Sequence, residues 1–123
     1  MFINFTNHPS AQWSAEQKAA AQAYGEVIDL AFPAIDPAAD EAALDSLASA
    51  YATRILHINP DAVLCQGEFT FVYRVVLRLE KEGIPVFAAC SFRKSQETIS
   101  PDGSTLKQSV FVFTRFRRYG SPS

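Results

Sequence analysis

The chain has 123 residues, 48% of them hydrophobic and 20% charged, with a formal net charge of −2. That is material for one compact domain with a sizeable core, and no run approaches the ~18 consecutive apolar residues of a membrane-spanning helix. Residues 1–62 hold Lys18 and Arg54 against eight acids (−6), while residues 63–123 hold nine bases and five acids (+4). Long duplex nucleic acid is excluded as a partner, because its readers carry a broad basic face. A few phosphates remain compatible with the second half.

Met1-Phe2-Ile3-Asn4 lacks the basic start of a signal peptide, so a cytoplasmic protein is expected. Cys65 and Cys90 then stay thiols within apolar strands. Two distant cysteines without a CxxC spacing do not make a zinc site, and no metal or cofactor is expected.

Phe2–Thr6 reads as a first strand, stopped by Asn7-His8-Pro9-Ser10, where Pro9 holds His8 out of helical geometry. Ser14 with Gln17 forms a capping box for an Ala-rich helix to Tyr24, and Gly25 ends it. Glu26–Phe32 is a second strand, closed by Pro33. A linker, residues 34–39, leads to an amphipathic helix from about Asp40. Leu44, Leu47, Ala48, Tyr51, Ile55 and Ile58 form its apolar stripe.

Val63-Leu64-Cys65 is a short apolar run between Asn59-Pro60-Asp61 and Gln66-Gly67-Glu68, the pattern of a buried parallel strand feeding a helix. That helix spans about Phe69–Glu82 and stops at Gly83. Its expected core face is Phe69, Val72, Tyr73, Val76 and Leu79, with Phe71 and Val75 adding an apolar flank that suggests cover on two sides. Ile84–Ser91 is a fourth strand that continues to Ser100, and Asp102-Gly103 signals a hairpin whose return strand is Leu106 to about Arg117. A two-residue turn would pair Arg93 with Val112, Thr98 with Lys107 and Cys90 with Arg115.

The order βαβαβαβ plus a hairpin predicts a single Rossmann-like three-layer α/β sandwich over residues 1–119, with a tail at 120–123. Its sheet is mostly parallel, with a C-terminal antiparallel hairpin. The pattern does not dictate strand order; 2-1-3-4-5 is the simplest arrangement that puts the hairpin at one edge.

In such a sheet the carboxyl ends of the strands share one rim, where ligands bind. Asn7, His8, Ser10, Gln66, Gly67, Glu68, Thr70, Ser91 and Arg93 fall there, with Lys94 and Lys107 within reach. Each also has a plain structural role. Asn7 and Ser10 are good helix caps, His8 suits a surface loop, and Gly67 suits a turn. If Gly67 instead admits a phosphate, the amides of Glu68, Phe69 and Thr70 would receive it. The Glu68 carboxylate opposes that and would rather accept from a ribose hydroxyl, an adenine amino group or Arg93. Arg115, Arg117 and Arg118 fall at the opposite end, as a charged terminus or a partner contact. Val110-Phe111-Val112-Phe113 is apolar on both sides of an edge strand, so a homodimer is expected to cover it.

Through Ile3-Asn4-Phe5-Thr6-Asn7-His8-Pro9-Ser10, Cys65-Gln66-Gly67-Glu68 and Cys90-Ser91-Phe92-Arg93, the chain resembles small CRISPR-associated Rossmann-like proteins. These are the CARF domains and ring nucleases that bind cyclic oligoadenylate. The resemblance implies a symmetric dimer whose strand-end loops cup a cyclic RNA messenger. It also implies metal-independent cleavage in those members that cut it, by attack of the ribose 2′-hydroxyl on its own phosphodiester. His8 would move the proton, with Ser91 and Arg93 at the phosphate. A non-cleaving receptor, an enzyme acting on a small nucleotide or sugar metabolite through His8 and Glu68, and a dimeric interaction module without catalysis remain open beside it. GxGxxG, P-loop, GxSxG and HExxH motifs are absent.

Overall fold

A computed structural model describes residues 1–120; of the expected tail at 120–123, residues 121–123 lie outside the described residues. Five strands alternate with three helices: β1 (Phe2–Phe5), α1 (Ala15–Gln22), β2 (Val27–Asp29), α2 (Glu41–Ile58), β3 (Ala62–Cys65), α3 (Phe69–Lys81), β4 (Val86–Ile99) and β5 (Thr105–Arg118). They form one mixed sheet in the order β2-β1-β3-β4-β5. The first four strands run parallel, and β5 is antiparallel to β4. Among the described residues no helix is long and apolar enough to cross a membrane.

The helix boundaries follow local chemistry. Ser14 and Asp40 cap α1 and α2 by accepting from the amides of Gln17 and Ala43. Asn59, in the left-handed conformation, ends α2. Strand β2 is shorter than the run Glu26–Phe32 suggests. Leu30 still donates its amide to the Asn4 carbonyl, but Phe32 leaves the sheet to pack among aromatic rings.

Alternation along the buried strands sends side chains to two cores. Ile3, Phe5, Val63 and Cys65 pack with α2 and α3, while Phe2, Ala62 and Leu64 pack with Ala21 of α1 and with Phe87 and Phe116. The parallel part thus carries one apolar cluster on each face. Helix α3 is turned differently from its expected register. Its buried residues are Phe71, Val72, Val75, Val76 and Leu79, whereas Phe69 and Tyr73 point outward. The helix has two neighbours to satisfy, the sheet and α2, and Phe71 and Val75 fill the corner between them. The apolar flank at Phe71 and Val75 signals cover on two sides, but sequence spacing does not say that α2 supplies it or that Phe69 and Tyr73 turn outward.

Strand β4 pairs with β3 only at Val63–Val86 and Leu64–Phe87. From Ala88 to Ile99 it has β5 alone, so a two-stranded arm about 40 Å long extends beyond the rim. Its turn is a three-residue loop. Gly103 donates to the Ser100 carbonyl, and its φ of 87° is the left-handed position that this loop type requires. The arm's register is one residue off the expected one: Arg93 pairs with Phe111 and Thr98 with Leu106. Nearer the sheet, Cys90 pairs with Arg115 as anticipated, because a β-bulge leaves Thr114 unpaired and restores the count.

Candidate ligand-binding site

The bulge builds the site. Without it, Phe116 and Phe113 would face opposite sides of the ladder. With it, they share the α1 side, their rings 5.0 Å apart, and Phe111 follows on the same face. Trp13 approaches this cluster from the segment before α1, 6.4 Å from Phe116 and 6.3 Å from Phe2. The result is a cavity of about 570 Å³ at the strand ends. Its floor is Leu64 and Ala89, its aromatic walls are Trp13, Phe111 and Phe113, and its polar lining is Thr6, His8, Gln12, Ser14, Gln17, Gln66 and Ser91. The Gln66 side-chain oxygen Oε1 accepts from the Ala89 amide, leaving the Nε2 of the same side chain for a ligand. No lysine, arginine, aspartate or glutamate lines this cavity.

Three expected site residues, His8, Gln66 and Ser91, thus meet in one cavity. Arg93 stands two residues beyond Ser91 on the same face of β4, about 7 Å further out. Lys94 alternates to the opposite face. Lys107 is far along the arm, 3.8 Å from Glu97.

Asn7 lines a neighbouring hollow of about 320 Å³ with Asn4, Asp29 and Phe32. Beneath it lies a polar latch that the sequence reading missed. Asn4, 1% exposed, donates to the His8 carbonyl (2.8 Å) and to Asp29 (3.0 Å), and accepts from the Thr6 hydroxyl (2.8 Å). Asp29 also accepts from the Ser10 amide at 3.2 and 3.3 Å. Burial pushes the Asp29 carboxyl up, but the hydrogen bonds from Asn4 and Ser10 outweigh it and hold it below its ordinary value. Ser10 therefore anchors the loop that carries His8. The signal was present in the sequence, as a lone amide in the apolar strand Phe2-Ile3-Asn4-Phe5.

The βα junction behaves differently from the phosphate cradle considered above. The Glu68 carboxylate caps α3, accepting from the amides of Thr70 (2.8 Å) and Phe71 (3.0 Å) and from the Thr70 hydroxyl. Those bonds, led by the Thr70 hydroxyl, hold Glu68 below its ordinary value. Of the three amides that a phosphate would need, that of Thr70 is thus taken, by a carboxylate that repels the anion, and Glu68 and Thr70 line a separate hollow beside α2. Gly67 does not adopt a positive φ. It is glycine because a Cβ there would collide with the Phe32 ring. Cys65 is sealed in the core, where burial pushes its thiol up to about 12.

On the other side of the ladder, Tyr119 donates its hydroxyl to the Cys65 carbonyl at 2.6 Å. Arg118 holds Glu80 through two nitrogens, with a closest approach of 2.7 Å, so this arginine is an internal brace and no free terminus. Among the described residues, no group of three or more His, Cys, Asp or Glu is placed to hold a metal ion.

Fold and cavity together define an α/β protein with a mostly parallel sheet and an uncharged, aromatic-walled site at the strand ends. Residues 1–117 match the sequence profile of the uncharacterized protein MJ1673 family, and the chain belongs to that family. Searches of curated proteins and of solved structures found no match.

Proposed function

We propose that the molecule is a small Rossmann-like three-layer sandwich that binds a nucleotide-class ligand at the α1-side cavity. One observation carries this reading: three glutamine side chains and three aromatic rings surround a space of about 570 Å³, with Arg93 just outside on the same face. A flat heteroaromatic base suits the Trp13, Phe111 and Phe113 walls. Gln12, Gln17 and Gln66 offer both donors and acceptors to its edge. The uncharged interior suits a base or sugar better than a phosphate, and Arg93 is placed to take the phosphate at the mouth. Among nucleotides, the cyclic oligoadenylates are the members that the resemblance singles out, in CRISPR signalling within the cytoplasm.

A ring-nuclease activity is the second reading, favoured by His8 and Ser91 lining the same cavity. In that reaction the ribose 2′-hydroxyl loses its proton to His8 and attacks the adjacent phosphorus. The P–O5′ bond breaks to leave a 2′,3′-cyclic phosphate, the departing 5′-oxygen takes up a proton from water, and Ser91 and Arg93 stabilise the charge on the phosphoryl oxygens.

Calorimetric titration of the full chain with adenosine, AMP and cyclic oligoadenylates of several ring sizes tests the binding. Saturable binding of at least one, weakened by Gln66→Leu, is the expected result. Absence of binding by every nucleotide overturns the reading. Product analysis in the presence of a chelator then separates receptor from nuclease, with cleavage abolished by His8→Ala if the second reading holds.

A further inference from the structure

On the opposite face of the ladder α3 forms one border of a mostly apolar groove, to which Gln66 also contributes, and Arg115 and Arg117 flank it. Phe69, Tyr73 and Leu77 run along the outer side of α3 at helical spacing, 88%, 57% and 55% exposed. With Val72, Val76, Ala88 and Tyr119 they border an apolar groove of about 530 Å³. Alternation along β4 carries the same face from Ala88 through Cys90 to Phe92, which is 54% exposed and paired with Val112; Leu106 lies on this face further out. Beyond the rim only two strands sustain this surface, and an isolated hairpin is marginal in water.

We infer that this face is where a second copy of the chain docks, about a twofold axis. At about 200 Å² per aromatic side chain, Phe69, Tyr73, Phe92 and Tyr119 leave on the order of 500 Å² of apolar area in water. Leu77 brings the total to about 600 Å², the upper end for the largest apolar patch of an ordinary monomer, while Lys94 and Gln96 separate Leu106 from it. A stable homodimer buries about 800 Å² per partner, about two-thirds of it apolar, which is the same quantity. The shape is self-complementary as well. Each copy supplies a raised stripe, on α3, and a flat floor, on β4 and β5, so a twofold sets each stripe on the other's floor. A foreign helix would match the floor and leave the stripe uncovered. Arg115 and Arg117, paired with Cys90 and Ala88, border the floor where the second copy's Phe69 and Tyr73 rings arrive. Guanidinium over an aromatic face is a favourable interface contact. This dimer differs from the edge pairing of β5 that the sequence suggests, and it does not depend on what fills the cavity on the α1 side.

Sedimentation velocity on the full chain tests it. The wild type is expected to be a dimer at micromolar concentration. Tyr73→Asp and Leu77→Asp should each raise the dissociation constant by about 100-fold or more, since each buries an unpaired carboxylate, with an unchanged circular dichroism spectrum because both sites are exposed in the single chain. Phe111→Asp, on the other face, should remain dimeric. A wild type that is monomeric up to millimolar concentration overturns the inference. So does a dimer indifferent to Tyr73→Asp and Leu77→Asp, or one lost in Phe111→Asp alone, which would return the contact to the β5 edge or the α1 face.

Discussion

The two faces of the β4–β5 ladder contrast sharply although the same two strands make both. On the α1 side, the segment carrying Trp13 reaches across to β5 and encloses a polar cavity with aromatic walls. On the α3 side, coverage ends at the Tyr119 ring and the apolar surface continues outward uncovered. Strand alternation alone would give two similar apolar faces, because Val110 to Phe113 are all apolar. What separates them is the unpaired Thr114, which concentrates phenylalanines on one face and leaves arginines and smaller apolar residues on the other. A single extra residue thus gives one face a walled cavity and leaves the other an open apolar groove.

The two sides of α3 differ most in what they contribute to stability. Phe71→Ala removes a ring packed against Phe5, Phe32 and Tyr51, and should cost about 3–5 kcal/mol in denaturant unfolding. Phe69→Ala, two residues away, should change stability by less than about 0.5 kcal/mol. Both are best measured in the Leu77→Asp background, so that association does not enter. Equal losses would mean that Phe69 is a core residue and that the outward stripe is misassigned.

Gly67→Ala comes next. Phe32 is held between Phe5 and Phe71 and has little room to yield, so a loss near the upper end of about 1–3 kcal/mol is expected. An unchanged unfolding midpoint would show that the ring moves freely. At the cavity mouth, Arg93→Ala should weaken a phosphorylated nucleotide about tenfold, equivalent to about 1.4 kcal/mol. The unphosphorylated nucleoside should bind as before. Equal weakening of both would place Arg93 against the base rather than the phosphate.

The smallest effect concerns acid stability. The Arg118 hydrogen bond holds Glu80 below its ordinary 4.5 in the folded chain. Its contribution is therefore complete above that value and is lost as pH falls through the lower folded-state one. Glu80→Gln should flatten this part of the melting-temperature profile below about pH 4.5. A variant profile parallel to the wild type down to pH 3 would mean that the brace adds nothing.

Hydrophobic run lengths, capping residues and the Asp102-Gly103 turn were sufficient to read the element order, the helix starts near Ser14, Asp40 and Phe69, and the meeting of His8, Gln66 and Ser91 at one rim. These are local properties, written in adjacent residues, and a parallel sheet converts them into a common edge without further information. The rest depended on contacts between distant parts of the chain. Gly67 is needed because of Phe32, Asn4 because of Asp29, and the rotation of α3 because of α2. The aromatic walls of the cavity exist because one unpaired threonine reverses an alternation, and a register shift of a single residue leaves no mark in composition or periodicity. Only the folded arrangement decides such matters, since the energy that selects them comes from which surfaces exclude water together and not from the preference of any one segment.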